Sequence, residues 1–111
     1  MYRQCLEVRD LFTGNTTLGS IITNADFDKA QMNKIAAMAQ NGYARSIRPV
    51  HTQADGDTVY ALSTGEVTAD LNAVGTLAAQ VMAEAIRSAV FSAESAYGLP
   101  CAADFMKKGN V

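Results

Sequence analysis

The sequence predicts an α/β fold in the order strand, helix, strand, helix, and three observations carry that reading. A Thr- and Ile-rich run at 16–23 and a period-two run at 57–64 read as strands. Apolar residues at helical spacing follow each of them, across 27–43 and across 71–91. Pro49 and the cluster Gly98-Leu99-Pro100 punctuate the pattern where helices should stop. Two strands are too few for an independent sheet. The piece is therefore expected to complete a larger sheet, with strands from another chain or another part of its precursor.

Taken in order, residues 1–13 read as a leader without clear period. After the first strand, Asn24 or Asp26 can cap a helix, with Asp28 near its positive end. Phe27, Ala30, Met32, Ile35, Met38, Ala39 and Tyr43 mark that helix's apolar stripe. Asn41-Gly42 loosens it and Tyr43 to Ile47 can continue it, until Pro49 ends it. Residues 51–56 form a polar loop. In the second strand Val59, Ala61 and Ser63 share one face and Tyr60, Leu62 and Thr64 the other. Both faces are mostly apolar, which predicts cover on both sides. Thr68 is placed to cap a long second helix. Its expected buried stripe is Leu71, Val74, Leu77, Ala78, Val81, Ala85 and Ala89, extended by Ile86, Val90 and Phe91. Ala73, Gly75, Ala79 and Ala83 invite close helix packing, and Gly98-Leu99-Pro100 is expected to end the helix.

Size and charge remove several function classes. With 111 residues the chain is one domain at most, and 49% apolar residues suffice for a core. A net charge of −2 and the lack of a basic stripe argue against a nucleic-acid partner. Lys107-Lys108 reads as a solvated tail. No apolar run approaches a membrane span, and charges at Arg3, Glu7, Arg9 and Asp10 occupy the place of a secretory apolar region. A cytoplasmic location is the expectation. Cys5 and Cys101 stand near opposite ends and read as two reduced thiols. His51 is the only histidine, so a zinc site is not expected, and a Ser-His-Asp triad would have to use this one loop residue. No cofactor is called for.

Chemistry concentrates in two short motifs. The run Gly14-Asn15-Thr16-Thr17-Leu18-Gly19 places an Asn-Thr bond and a hydroxyl at the head of the first strand. The run Asp55-Gly56-Asp57 opens the second strand. Residues two apart in extended chain face one side, so both carboxylates can point toward one site, and Gly56 lets the backbone turn or approach closely. Taken singly, a Thr-Thr pair is a β-former and Asp-Gly-Asp is a turn. The joint order carries more: Asn-Thr-Thr-Leu-Gly, a helix through Ala44-Arg45, Pro49-Val50-His51-Thr52, Asp-Gly-Asp-Thr-Val and Ser63-Thr64-Gly65.

In that order the chain, across residues 14–100, resembles the C-terminal, nucleophile-bearing subunit of the self-processing L-aminopeptidase/D-Ala-esterase/amidase family, which includes β-peptidyl aminopeptidases and the nylon-oligomer hydrolase. The resemblance implies a layered α-β-β-α fold, built with a large N-terminal subunit cut from the same precursor. It implies a boundary at the Asn-Thr bond, with 1–15 as leader or end of the large-subunit region and 16–111 as the small catalytic subunit. It implies autocleavage between Asn15 and Thr16, and catalysis by Thr16 with Asp55 and Asp57 hydrogen-bonded to each other and to the nucleophile.

The implied chemistry needs no histidine. A threonine hydroxyl is a weak nucleophile without a base, and an N-terminal threonine supplies its own in an α-amine of pKa about 7.7–8.0. Two adjacent carboxylates share a proton, raising one pKa. Expected substrates are short peptides, or amino-acid amides and esters. The expected assembly is a homo-oligomer of processed heterodimers, the precursor being a zymogen. Two other readings stay open: an inactive truncated fragment acting as an assembly module, and an acyl transferase of the ornithine acetyltransferase type.

Overall fold

The computed structural model describes residues 14–107. The leader read at 1–13, Cys5 within it, and Lys108 of the tail lie outside the described residues. Five elements follow in order: β1 (Leu18–Ala25), α1 (Lys29–Ser46), β2 (Thr58–Val67), α2 (Leu71–Ser92) and a short α3 (Ala102–Lys107). The chain is thus α/β, and α3 is an addition to the expected order.

β1 and β2 pair in parallel, with Leu18 opposite Thr58 and Thr23 opposite Ser63. A parallel pair needs a crossover, and α1 supplies it. β1 starts two residues later than its Thr-rich run because the Thr17 N–H goes to the Asp57 carboxylate instead of a ladder carbonyl. At the other end the register breaks between Thr23 and Ala25, and β2 passes through Gly65 at φ 72° before Val67 meets Ala25.

Alternation sorts each strand into two faces. Ile21 and Ala25 are buried, while Val59 and Ala61 pack against the same core. On the opposite face Leu18, Ile22, Tyr60 and Leu62 are mostly exposed. Among the described residues the second strand's expected two-sided cover is therefore met on one side only, since both long helices lie on the face of Ile21 and Val59.

α1 begins at Asp28, not at Asn24 or Asp26. The Asp28 carboxylate accepts the Gln31 N–H at 2.8 Å, and the Gln31 side chain accepts the Asp28 N–H at 2.9 Å. This reciprocal pair satisfies two donors that a helix start leaves open. The stripe Met32, Ile35, Ala39 and Tyr43 is buried, with Ile35, Ala39 and Tyr43 fully so. Asn41-Gly42 does not interrupt the helix. A β-carbon on Gly42 would stand 2.6 Å from the Ala79 carbonyl oxygen, so this glycine lets α1 approach the α2 backbone.

α2 differs from expectation in its cap, its face and its end. Asp70 caps it in place of Thr68, accepting the Ala73 N–H at 2.9 Å. Its buried face is Gly75, Ala78, Ala79 and Met82, with Leu71, Val74 and Ile86 alongside. Leu77, Val81, Ala85, Ala89, Val90 and Phe91 are exposed. The small residues win the inner face because they permit the close approach to α1; the larger ones form an outer stripe. Leu77 and Val81 also line an apolar groove of about 310 Å³ with Ser20, Ile21, Ile22 and Thr23 of β1. The helix stops at Ser92, with Ala93 extended. Tyr97 (φ 54°) and Gly98 (φ 79°) then form a tight turn closed by Ala96 and Leu99. No helix among the described residues is long and apolar enough to cross a membrane.

Candidate active site

Parallel pairing brings the two motif-bearing lead-ins together. The residues before β1 and those before β2 enter the sheet side by side, although 40 positions separate Thr17 from Asp57. The Gly56 N–H donates to the Asn15 carbonyl at 2.9 Å, and the Thr58 N–H donates to the Thr17 carbonyl at 2.9 Å. Asn15 and Asp55 form a parallel bridge. The result is a cleft of about 350 Å³ lined by Asn15, Thr16, Thr17, Asp55 and Asp57, and walled by residues 47–50. All four residues singled out from the sequence, Asn15, Thr16, Asp55 and Asp57, line this one cleft.

The acids are held differently. Asp57 bridges two segments: its Oδ1 accepts the Thr17 N–H at 2.9 Å and its Oδ2 accepts the His51 N–H at 3.0 Å. Asp55 turns back on its own loop, where Oδ2 accepts the Thr52 hydroxyl at 2.7 Å and the Thr52 N–H at 2.8 Å. Those donors, the hydroxyl first, hold the Asp55 carboxyl below the usual carboxylate range. The resemblance implies bonds from the acids to each other and to the nucleophile. With the bond between Asn15 and Thr16 intact, the acids instead bind Thr17, His51 and Thr52.

The Thr16 side chain lies against Gly56. A β-carbon at Gly56 would stand 2.8 Å from the Thr16 Oγ1, so the position between the two acids has to be bare. The need is for space, because Gly56 lies outside the left-handed region.

Support comes from beneath. Tyr43 is fully buried, and its hydroxyl donates to the Thr58 carbonyl at 2.8 Å and lies 3.4 Å from the Thr17 carbonyl. Burial, and secondarily the Asp57 charge, push the Tyr43 hydroxyl's pKa up. His51 sits at φ 62° and gives the site its backbone N–H; its ring Nδ1 faces Gln40 at 3.4 Å. The ring is thus turned toward α1, which disfavours a His51-based triad. Cys101 lies beside Ser95 and Asp104 in the C-terminal segment, outside the cleft.

Sequence reasoning missed Tyr43, Thr52 and the Gly56 N–H as parts of this site. Tyr43 carried a signal, being the large residue with a polar tip in the α1 stripe, since a buried tyrosine hydroxyl needs a partner. Thr52 three positions before Asp55 is turn spacing. The Gly56 N–H carried none, because backbone pairing depends on the register.

Comparison with known proteins places the chain in a family. Residues 2–101 match the model of peptidase family S58. The chain belongs to that family. An uncharacterized aminopeptidase of Mycobacterium leprae (strain TN) is 42% identical over 101 residues, covering 78% of this chain and 28% of the relative. An uncharacterized aminopeptidase of Mycobacterium tuberculosis (strain ATCC 25618 / H37Rv) is 40% identical over 101 residues, covering 78% and 29%. A 6-aminohexanoate-oligomer endohydrolase of Paenarthrobacter ureafaciens is 32% identical over 89 residues, covering 68% and 25%. This S58 chain thus spans between a quarter and three tenths of the length of these relatives. Their names bear out the resemblance to the L-aminopeptidase/D-Ala-esterase/amidase family and its nylon-oligomer hydrolase branch. They do not favour the acetyltransferase reading.

Proposed function

We propose that this S58 chain is the nucleophile-bearing part of an amidohydrolase that cleaves itself between Asn15 and Thr16. The new N-terminal threonine then hydrolyses amide bonds of short peptides, or of amino-acid amides and esters. The observation that carries this reading is the shared cleft of Asn15, Thr16, Asp55 and Asp57, formed by strand lead-ins of an S58 member.

The chemistry follows from the residues present. Once freed, the Thr16 amine takes the hydroxyl proton, directly or through water, as the oxygen attacks a substrate carbonyl. The acyl enzyme is then hydrolysed. Asp57 already grips the neighbouring Thr17 N–H, so its negative charge lies close to the new amine. It holds the lead-in in place and favours the ammonium between turnovers. Asp55, with its pKa lowered by Thr52, stays ionised and fixes the loop that carries Asp57.

A large partner segment completes the enzyme. The apolar outer face of Leu18, Ile22, Tyr60 and Leu62 supports a second layer, and the outer stripe of α2 supports further packing. The short span of the relatives covered supports a partner longer than this chain. The layered α-β-β-α fold, cleavage of a zymogen into two subunits, the cytoplasmic site and an oligomer of processed heterodimers belong to this same proposal.

The test is a pair of variants in the full-length protein. Thr16→Ala removes the hydroxyl that both reactions need, so processing and hydrolysis should both vanish. Thr17→Ala should still be processed. Full hydrolysis by Thr16→Ala would overturn the reading. Alone, the 111-residue chain should not turn over an amino-acid p-nitroanilide, because positioning and oxyanion donors each contribute kilocalories and part of both comes from the partner segment.

A further inference from the structure

We propose that the backbone N–H of Gly56 is a catalytic donor in self-cleavage: it polarises the Asn15 carbonyl and carries the oxyanion formed there. This rests on the reading of the bond between Asn15 and Thr16 as the scissile one. Two independent observations meet at Gly56. Its N–H donates to the Asn15 carbonyl oxygen at 2.9 Å, and its bare Cα leaves room for the Thr16 hydroxyl, whose oxygen lies 2.8 Å from the place of a β-carbon. One residue thus holds the electrophile and admits the nucleophile.

The step balances without any further reagent but water. The Thr16 Oγ forms a bond to the Asn15 carbonyl carbon, and the carbonyl π pair moves onto the oxygen held by the Gly56 N–H. The hydroxyl proton passes, directly or through water, to the Thr16 nitrogen. The carbon–nitrogen bond breaks as the carbonyl re-forms, leaving an ester on Thr16 and a free α-amine. Water then splits the ester into an Asn15 carboxylic acid and the Thr16 hydroxyl. A donor aimed at the developing charge is worth more in the tetrahedral intermediate than in the ground state.

The competing account is that this bond is only the first rung of the parallel ladder. The next rung, from the Thr58 N–H to the Thr17 carbonyl, has the same length of 2.9 Å and touches no reacting atom. That makes it a matched control. In the full-length protein, made by translation with α-hydroxy acids, glycolic acid at position 56 removes one N–H, and the α-hydroxy analogue of threonine at 58 removes the other. We expect the ester at 56 to slow appearance of the Thr16 N-terminus by about 10²-fold, the range for one oxyanion donor. The ester at 58 should stay within a few-fold of the parent. Equal slowing by both, or no slowing at 56, overturns the proposal. Gly56→Ala serves as a second variant: it keeps the N–H, crowds Thr16 Oγ1, and should also slow cleavage while the uncut protein keeps its circular dichroism. Cleavage of Gly56→Ala at the parent rate overturns the proposal too. The parent and Thr16→Ala run alongside. A parent that never cuts before Thr16 means that the scissile-bond reading itself fails; a parent that cuts, with an unaffected ester at 56, means that only the donor role fails.

Discussion

The Asp57 carboxylate accepts the Thr17 N–H at 2.9 Å, joining the start of β2 to the residue next to Thr16. Its other oxygen accepts the His51 N–H at 3.0 Å. Asp57→Asn preserves shape but removes the charge and one of two acceptors. It is expected to lower hydrolysis in the full-length protein by ~10²-fold, the cost of misplacing a reacting group by about 1 Å, with the fold retained. Initial rates on a p-nitroanilide, together with circular dichroism, check this; unchanged rates in Asp55→Asn and Asp57→Asn alike would reduce the motif to a turn.

Asp55 sets an acid-side dependence. Its carboxyl is held below the usual range, chiefly by the Thr52 hydroxyl. A folded pKa below the unfolded value means that the contribution is present above about 3.9 and is lost as pH falls through the folded pKa. Thr52→Ala should move the Asp55 titration back up toward the ordinary value, read from its carboxyl carbon shift by NMR. A titration that does not move would remove Thr52 as the cause.

Tyr43 sets the opposite limb. Burial, with help from the Asp57 charge, raises its pKa. A raised folded pKa gives stability that is whole below about 10 and is lost as pH rises through the folded value. Tyr43→Phe should cost about 1 kcal/mol at neutral pH through the lost bond to the Thr58 carbonyl. It should also flatten the alkaline fall in melting temperature. An unchanged alkaline limb in Tyr43→Phe would assign that limb to another group.

How much of this was legible beforehand depended on what periodicity can encode. The strands and helices are legible, because turn residues and alternation mark where they begin; Asn15, Thr16, Asp55 and Asp57 are legible from pattern only as two strand-opening motifs. That the two lead-ins meet follows from parallel register, and their grouping rested on the resemblance. The inner face of α2 matches the expected stripe at Leu71, Val74, Ala78 and Ile86 and departs from it at Leu77, Val81, Ala85 and Ala89. Leu77 and Val81 suit a buried stripe as well as Gly75 and Ala79 do, and period alone cannot say which apolar face meets the chain's own α1. The same ambiguity explains Asp28 and Asp70 as caps over Asn24, Asp26 and Thr68: several candidate caps lay within one turn of each helix start.

The contact between α1 and α2 is testable at Gly42. Alanine there gains up to about 1 kcal/mol in helix propensity. Its β-carbon, however, would sit 2.6 Å from the Ala79 carbonyl oxygen, and such overpacking costs about 1–3 kcal/mol. Gly42→Ala should therefore lower the denaturant midpoint of the full-length protein. A raised midpoint would show that the helices can part without loss.

The central claim concerns one peptide bond, and its most direct measurement is N-terminal sequencing of the small chain from the purified, active full-length protein, with intact mass as the cross-check. The small chain should begin Thr16-Thr17-Leu18-Gly19 and its partner should end at Asn15. A chain beginning at Thr17, or an active protein that remains uncut, would contradict it.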